Sequence, residues 1–495
     1  MPTTQHSGVR RSVLIILSVV SLALGACAAR TSISASPAEP SRSSPRQSPT
    51  GAAAPGSPGT ILALDPAERA RRFVALLAGH DFQTATTLFD DEMKAGLSAG
   101  RLARIWADLE SAGGALRKAA AVRLERRGKM TAAIVRCELA RQALDARVVF
   151  AGNGKVTGLW FKPATPPWQP PPYAQQSRFH EEDVLVGDGE WATPGTLAIP
   201  AGRGPFPALI LVHGSGPNDR DESSSAGPQR VFKDLAWGLA SRGIAVLRYD
   251  KRTLTHGSKL KGVMQSFTHK EEYVEDALAA VELLRRDRRI ASQRIFVLGH
   301  SEGGTVAPRI GAASKHISGL IVFAGATRDF ATIIIDQLNY LYGLDGKIDE
   351  KERAEIEEMK RRVEPLRHPA LLEKTPAQRL PFGIPAAYWK DELAHDPVST
   401  ARAYPNPMLV LQGERDYQVT MADFAGWKKG LARRKQTTFR SYPKLDHHFV
   451  EGEGQSRPEQ YGRPGHVAEY VIEDIATWVT RDGLQASSSA ASKRR

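Results

Sequence analysis

The sequence Gly299-His300-Ser301-Glu302-Gly303 constrains the chain more than any other stretch, because it places a serine between two glycines directly after an apolar run. That run, Ile295 to Leu298, predicts a buried strand, and the small residues from Gly304 to Gly311 can form a helix. A serine on so sharp a strand-to-helix turn leaves no room for side chains two residues before and after it. The stretch therefore predicts a nucleophilic serine; the alternative is a glycine-rich turn with a structural serine.

Length and charge limit the remaining choices. A chain of 495 residues is too long for one ordinary domain, which predicts two domains plus low-complexity segments. The formal net charge of +13 could indicate an acidic partner, but the arginines are scattered in pairs such as Arg71-Arg72 and Arg285-Arg286, as on solvated protein faces. Zinc-finger spacing, an RNA-binding aromatic stretch and a zipper heptad are all absent from the sequence. We expect no nucleic-acid partner.

The N-terminal residues predict export. Arg10-Arg11 precedes the apolar run Val13 to Leu24, which is shorter than the roughly 20 residues that span a bilayer and is typical of a signal peptide at 1–26. The ending Leu24-Gly25-Ala26-Cys27 resembles the lipobox of bacterial lipoproteins, which implies lipidation of Cys27 and a membrane anchor facing the periplasm or the cell exterior. Ordinary cleavage near Ala26 or Ala29 is the alternative. Residues 27–60, rich in Ser, Pro, Ala and Gly, predict a disordered tether.

A small α+β domain is predicted at 61–162. Asp65-Pro66-Ala67-Glu68 is typical of a helix start, and helical spacing returns after Ser98. Strands follow at 131–139, 144–150 and 156–161, with a hairpin turn at Gly152-Asn153-Gly154. Pro-rich residues 163–176 predict a stiff linker. This domain shows no convergent polar residues, so binding, spacing and dimerisation are all open roles for it.

From 177 to 483 strand and helix alternate, as in an α/β domain with a doubly wound, mostly parallel sheet. An insertion at about 330–400 interrupts this alternation and predicts a helical lid, with outer ion pairs Glu357–Arg361 and Glu358–Arg362. Phe382, Tyr388 and Trp389 form its expected aromatic cluster. The last helix is predicted at Val467 to Val479, followed by a disordered tail at 484–495.

Three stretches together resemble a family of bacterial α/β-hydrolases described as esterases or serine aminopeptidase-like proteins. They are Val212-His213-Gly214-Ser215-Gly216-Pro217-Asn218-Asp219-Arg220-Asp221, Leu247-Arg248-Tyr249-Asp250-Lys251-Arg252 and Gly299-His300-Ser301-Glu302-Gly303-Gly304. The small domain, ending in Val148 to Phe161, looks like the cystatin- or NTF2-like domain that precedes the hydrolase in some bacterial esterases.

A serine hydroxyl needs a histidine to take its proton and a carboxylate to orient that histidine, and in this fold they follow in the order Ser, Asp, His. Asp416 lies on the loop after the strand Met408 to Leu411 and matches the family's Gly-x-x-Asp pattern. The rival carboxylates are Glu414, Asp423 and Asp396.

After the next strand, relatives show Leu-Asn-His, so His447 aligns with the catalytic histidine and Asp446 departs from the usual Asn. His448 is the alternative base. His466 is expected to be a helix-start residue.

Two backbone N–H groups should stabilise the oxyanion: that of Glu302, after the nucleophile, and that of Ser215, on the loop after an early strand. Gly214 is the alternative second donor. His213 is expected to be structural, and the run Asp219-Arg220-Asp221 to be an ion-paired loop that braces this wall.

These residues predict a serine hydrolase that cleaves small-molecule carboxylic esters with the triad Ser301, Asp416 and His447. No metalloprotease helix motif or phosphate-binding loop occurs in the sequence, so no metal or other cofactor is expected. A peptidase of the same mechanism is one alternative. The other is a non-catalytic binding protein of the cell envelope.

Overall fold

A computed structural model describes residues 58–127, 130–164, 166–224, 226–260 and 262–492. The predicted signal peptide, Cys27 and the tether up to residue 57 lie outside these ranges, while the end of the predicted tether forms a short helix, Pro58–Leu62. In the described residues no helix has both the length and the apolar character needed to cross a membrane. The described chain divides into two compact units between Pro166 and Pro167.

The first unit consists of short helices followed by a four-stranded antiparallel sheet in the order β1-β2-β3-β4. Its elements are α1 (Pro58–Leu62), α2 (Pro66–Ala78), α3 (Phe82–Thr87), α4 (Asp91–Gly96), α5 (Ala99–Gly113), β1 (Leu116–Arg127), β2 (Met130–Leu139), β3 (Ala143–Phe150) and β4 (Val156–Pro163). Asp65 and Ser98 cap α2 and α5 as their sequences indicate. Strand β1 is an addition to the predicted strands, because this edge strand is rich in charged residues and alanine and has no clear apolar alternation.

The second unit contains an eight-stranded sheet in the order β12-β11-β10-β9-β7-β8-β6-β5. The strands are β5 (Phe179–Val186), β6 (Thr193–Pro200), β7 (Phe206–Val212), β8 (Ala245–Tyr249), β9 (Ile290–His300), β10 (Ile317–Phe323), β11 (Met408–Gly413) and β12 (Thr437–Tyr442). All neighbouring pairs from β12 to β8 are parallel, whereas β6 is antiparallel to both β8 and β5. This is the mostly parallel sheet that the alternating sequence predicts.

Helices cover both faces of this sheet. The helices of the second unit are α6 (Val231–Ala240), α7 (Arg252–Thr255), α8 (Gly257–Leu260), α9 (Glu275–Arg286), α10 (Glu302–Ala313), α11 (Phe330–Tyr342), α12 (Glu350–Val363), α13 (Pro369–Lys374), α14 (Ala386–Leu393), α15 (Pro397–Ala403), α16 (Met421–Gly430) and α17 (Glu469–Ser492). Strand β9 explains the continuous apolar run before the serine: Ile295 and Val297 join the core on one face, and Phe296 and Leu298 the core on the other. The strand is buried from both sides.

Two predicted boundaries differ from the structure. The predicted linker 163–176 is in part packed on the second unit, where Tyr173 is buried and donates to the Val467 carbonyl at 2.7 Å, and Trp168 Nε1 donates to Asp234 at 2.8 Å. Burial of these aromatic side chains stabilises the folded state. The proline content, from which the linker is predicted, does not reveal this packing. The tail predicted at 484–495 is helical through Ser492, because extending a helix that has already formed costs less free energy than nucleating a new one.

Helices α11 to α15 lie in the predicted insertion, and residues of α11 to α14 enclose a small apolar core of their own. Phe330 lies against both Phe382 and Trp389, with ring centroids 5.9 and 4.8 Å apart. Of the two predicted ion pairs, Glu358–Arg362 forms at 3.0 Å. The Glu357–Arg361 prediction is wrong, since Glu357 binds Lys360 and Arg361 binds Glu358, both at 2.8 Å and both three residues apart. Spacings of three and four residues both allow contact on a helix.

Candidate active site

Ser301 lies in the turn between β9 and α10 with a strained backbone, at φ 53° and ψ −121°. The turn is too tight for side chains at its flanks: a Cβ on Gly299 would lie 2.0 Å from the Gly303 carbonyl oxygen, and one on Gly303 would lie 2.3 Å from the His213 carbonyl oxygen. The Ser301 N–H donates to the Phe323 carbonyl at 2.9 Å, which ties the turn to the end of β10. This is the geometry that presents a serine at the edge of a sheet.

Asp416 and His447 meet as the sequence predicts. The Asp416 Oδ2 atom lies 2.6 Å from His447 Nδ1, and both side chains are buried. The backbone N–H groups of Gln418 and Val419 donate to Asp416 Oδ1 at 2.7 and 3.0 Å, which fixes the carboxylate. An acceptor at Nδ1 selects the imidazole tautomer that leaves Nε2 able to accept a proton.

His300 connects this pair to the turn. Its Nε2 donates to the His447 carbonyl at 3.0 Å, and its Nδ1 donates to Glu222 Oε2 at 2.9 Å. His447 therefore lies against the residue that precedes Ser301. Since both ring nitrogens of His300 face acceptors, the ring is held as an imidazolium.

The pKa values of this buried pair agree with that state. Burial lowers the pKa of His300, but the charge of Glu222 and the hydrogen bonds outweigh it and raise the pKa above its ordinary value. For Glu222 burial acts to raise the pKa, and the charge and hydrogen bond of His300 overcome it and lower the pKa to about 2. Sequence pattern does not identify either residue as functional; the position of His300 inside the glycine motif is the one signal for it.

The alternative histidines have other partners. His448 is part-buried against Tyr461, its Nδ1 lies 2.7 Å from Gln229 Oε1, and burial followed by the nearby His300 and His447 charges lowers its pKa to about 3. His466 lies 3.1 Å from Asp234, just ahead of α17. Within the described residues neither forms a hydrogen bond with Asp416, so His447 remains the candidate base.

Asp446, at the position where the family resemblance implies Asn, organises the turn that carries His447. Its Oδ1 accepts the backbone N–H groups of His448 and Val450 at 2.9 and 3.1 Å. Burial, which outweighs these hydrogen bonds, raises its pKa to about 6. An Asn oxygen would accept the same two bonds, which is why the exchange is compatible with the loop.

The rival carboxylates serve elsewhere. Glu414 accepts from Ser441 Oγ at 2.8 Å, Asp396 caps α15, and Asp423 binds Arg328 at 2.8 Å. Each of these contacts is structural. Asp416 is therefore the carboxylate that the structure brings to a candidate histidine.

The loop after β7 lies beside Ser301 and forms one side of the site. A Cβ on Gly214 would lie 3.0 Å from Ser301 Cβ, so this loop passes directly beside the serine. The Gly214 N–H already donates to Glu222 Oε1 at 2.8 Å. The N–H groups of Ser215 and Glu302 have no such acceptor among the hydrogen bonds of the described residues, which favours these two as the oxyanion donors.

The run Asp219-Arg220-Asp221 braces the same loop. Arg220 binds Asp250 at 3.1 Å and Asp221 binds Arg248 at 2.9 Å, both at the end of β8. The Asp219 carbonyl lies 3.0 Å from His213 Nε2. Burial lowers the pKa of His213 to about 4 against the opposing charge of Glu222, so this ring is neutral and structural.

Comparison with known proteins identifies the family. Residues 227–455 match the family model described as "Serine aminopeptidase, S33", and residues 70–159 match one described as "Protein of unknown function (DUF3887)". The chain is 36% identical over 410 residues to the esterase EstD of Thermotoga maritima, which covers 83% of this chain and 94% of that protein. The chain belongs to this esterase family of α/β-hydrolases.

Two solved structures are similar to part of the chain. An esterase of Pyrococcus furiosus is 14% identical, with 64% of this chain and 97% of that chain covered and a TM-score of 0.39. Est1E of Butyrivibrio proteoclasticus is 16% identical, with 62% and 99% covered and a TM-score of 0.38. At these scores neither adds to the assignment.

A network of charged side chains around the buried ring of His269 joins the lid to the turn that carries Ser301. The Glu302 side chain lies 2.8 Å from His269 Nε2, and the hydroxyl of Tyr388, on α14, is 3.0 Å from the same carboxylate. On the other side of the ring, His269 Nδ1 lies 3.1 Å from Glu392 Oε2, also on α14. The side chain of Glu302 thus binds the lid.

His269, Glu302 and Glu392 offer the set of side-chain atoms in the described chain that lie within 4.8 Å of one another and could hold a metal ion. Each carboxylate, however, faces a different nitrogen of the one ring. A protonated ring between two carboxylates accounts for these contacts.

The pKa values describe such an ion-paired ring. Burial lowers the pKa of His269, but the Glu302 hydrogen bond and the charges of Glu392, Glu302 and Glu272 raise it to about 9. For Glu302 burial raises the pKa, and His269 with Lys251 reverses this and lowers it to about 2. Burial raises the pKa of Glu392.

Replacement of His269 by Gln should lower the free energy of unfolding by about 2 kcal/mol near pH 6, because it leaves two part-buried carboxylates without their buried cation. The folded pKa of about 9 exceeds the unfolded value of about 6.5, so this stabilisation is complete below about pH 6.5 and is lost as the pH rises through about 9. Denaturant unfolding of both proteins at about pH 6 and pH 10 measures the difference.

The control is His180→Gln, which removes an exposed histidine from its contact with Glu182 at 3.0 Å. We expect it to change the free energy of unfolding by less than about 0.5 kcal/mol at either pH. A difference between wild type and His269→Gln that stays constant up to pH 10 contradicts the ion-paired ring.

Proposed function

We propose that this protein hydrolyses carboxylic esters through an acyl-enzyme on Ser301. The observation that carries the proposal is the buried contact of 2.6 Å between Asp416 and His447. The backbone carbonyl of His447 also accepts a hydrogen bond from His300, the residue before Ser301. Membership of the esterase family supports the ester as the reacting group.

In the first half of the reaction, Ser301 Oγ bonds to the ester carbonyl carbon while His447 Nε2 takes its proton. Asp416 stabilises the imidazolium that forms. The negative charge on the former carbonyl oxygen is met by the N–H groups of Glu302 and Ser215. As the carbon–oxygen bond to the alcohol breaks, the imidazolium returns its proton to the leaving oxygen, and the acyl group stays on Ser301.

The second half repeats these steps with water. His447 takes a proton from water as its oxygen bonds to the acyl carbon, and the same two N–H groups hold the second oxyanion. Collapse breaks the bond to Ser301 Oγ, which recovers its proton from His447. The products are the carboxylic acid and a free enzyme.

Esters are the proposed substrates, and peptides are the second candidate because one matching family model is described as a serine aminopeptidase. Where the lid meets the turn, the carboxylates of Glu302 and Glu392 are both paired with His269, so neither is available to bind the amine of a peptide. The identity to an esterase over most of the chain favours the ester.

Purified protein should therefore hydrolyse small p-nitrophenyl acyl esters and leave aminoacyl amides uncleaved. Ser301→Ala should lower kcat by at least about 10⁴-fold, because it removes the attacking oxygen. A fluorophosphonate probe should label wild type and not the variant. Aminoacyl amide cleavage without ester cleavage would favour the peptidase, and absence of both label and hydrolysis would favour the non-catalytic binding protein.

The choice of base is tested separately. His447→Ala should lower kcat for the ester by at least about 10⁴-fold, whereas His448→Gln should keep kcat within about 10-fold, since His448 is neutral and bound to Gln229. Melting temperatures of both variants control for folding. The opposite order of activities contradicts the assignment of His447.

We also propose that the enzyme is exported and anchored to a membrane through lipid on Cys27. The lipobox-like sequence Leu24-Gly25-Ala26-Cys27 after an apolar run supports this. In a bacterial host, Cys27→Ser should move the protein from the membrane pellet to the soluble fraction and abolish labelling with a fatty-acid probe. An unlabelled wild type, or a variant that stays with the membrane, contradicts the anchor.

A further inference from the structure

The carbonyl oxygen of Gly214 is held by an unusual set of donors. Lys251 Nζ donates to it at 2.9 Å, Asn218 Nδ2 at 3.2 Å and the Tyr273 hydroxyl at 3.4 Å. This carbonyl belongs to the same planar peptide group as the N–H of Ser215, and in a trans peptide the two point in opposite directions. Whatever fixes the oxygen therefore also fixes the direction of the N–H.

Lys251 is committed entirely to this environment. Its side chain is 2% exposed, and its ammonium donates to Gly214 O, to the Tyr273 hydroxyl at 2.6 Å and to Glu272 at 2.8 Å. A lysine has three N–H donors, so all three are used. The ammonium also lies 4.0 Å from the centre of the Tyr273 ring. No donor is left for a substrate.

The opposite side of Gly214 is held by a second buried charge. Its N–H donates to Glu222, which is paired with His300. Buried ion pairs contribute little net stability compared with apolar side chains of similar size, so their presence on both sides of one glycine calls for another explanation. A Cβ at this glycine would lie 3.0 Å from Ser301 Cβ, which places the doubly held peptide beside the nucleophile.

We propose that Lys251 is a positioning residue for catalysis, which holds the Gly214–Ser215 peptide so that the Ser215 N–H faces the oxyanion. The inference rests on the proposed function, because it requires an oxyanion on the substrate of Ser301. A charge-assisted bond to the carbonyl also draws electron density away from the N–H and makes it a stronger donor. Lys251 acts through the peptide and does not contact the substrate.

The decisive variant is the double substitution Lys251→Met with Glu272→Gln, which removes the ammonium without leaving a buried carboxylate unpaired. Loss of one oxyanion donor costs about 10²- to 10³-fold in kcat, so we expect a loss of about 30-fold or more with KM changed by less than about 3-fold. The matched control is Glu272→Gln, which keeps Lys251 on the carbonyl and should keep kcat within about 3-fold of wild type.

A second readout separates positioning from a general loss of structure. The hydroxyl of Ser301 should add to the carbonyl of an alkyl trifluoromethyl ketone and form a hemiketal whose oxygen is an oxyanion. The inhibition constant of this ketone should therefore rise in the double variant by the same factor as kcat/KM falls. The product carboxylic acid should inhibit wild type and the double variant equally. Equal weakening of both inhibitors, or a double variant as active as Glu272→Gln, overturns the proposal.

Asn218→Ala provides a variant that should fold even where the double variant does not, because Asn218 is partly exposed. It removes a neutral donor from the same carbonyl, and we expect kcat to fall about 3- to 10-fold with unchanged KM. If the double variant fails to fold and Asn218→Ala leaves kcat unchanged, the proposal is overturned. A wild type without esterase activity refutes the proposed function as well, whereas an active wild type with unaffected variants refutes this inference and not the function.

Discussion

The close approach of three chain segments at Ser301 is the constraint on which the rest of the site depends. The end of β9, the first turn of α10 and the loop after β7 come so near that no Cβ fits at Gly299 or Gly303, and Ser301 adopts a positive φ. Such strain costs free energy and persists where the surrounding structure enforces it. Here it is enforced by the buried parallel sheet, whose strand β9 is covered on both faces.

Around this turn the chain buries several charged side chains, and each has a defined partner. Asp416 orients His447, Glu222 pairs with His300, Glu272 with Lys251, and Glu302 with His269. Breaking such a pair is costly, while forming it adds little to stability over an apolar core. Their common effect is to fix direction: that of an imidazole, of the loop beside the serine, and of the lid helix α14 that contacts Glu302 through Tyr388.

The sequence predicts the parts of this site that follow a strand in a known order. Ser301, Asp416 and His447 each lie at the carboxyl end of a parallel strand, so local pattern and fold order identify them, and the structure brings Asp416 and His447 together. Glu222, Lys251 and His269 are not identifiable in this way, because their roles depend on contacts between residues far apart in the chain.

The predictions that differ from the structure also concern features that depend on contacts between distant residues or between side chains. Strand β1 and the packed segment around Tyr173 are defined by pairing and burial, and their composition suggests loop or linker. The exchange of partners between Glu357, Glu358 and Arg361 reflects side-chain choice between two permitted spacings, which no sequence rule decides. Apolar pattern thus predicts the buried elements, whereas tertiary contacts decide where an edge strand forms, which linker residues pack and how charged side chains pair.

In the proposed reaction, catalysis passes through a covalent acyl group on Ser301. The most direct measurement mixes the purified enzyme with excess p-nitrophenyl ester, quenches in acid within the first turnover and determines the mass of the protein and of its peptides. We expect a species heavier by one acyl group, carried by the peptide that contains Ser301, with one equivalent of p-nitrophenol released. Two results would rule out an acyl-enzyme on Ser301. One is rapid ester hydrolysis with no acylated protein, even under conditions that slow hydrolysis of an acyl-enzyme; the other is an acyl group on another residue.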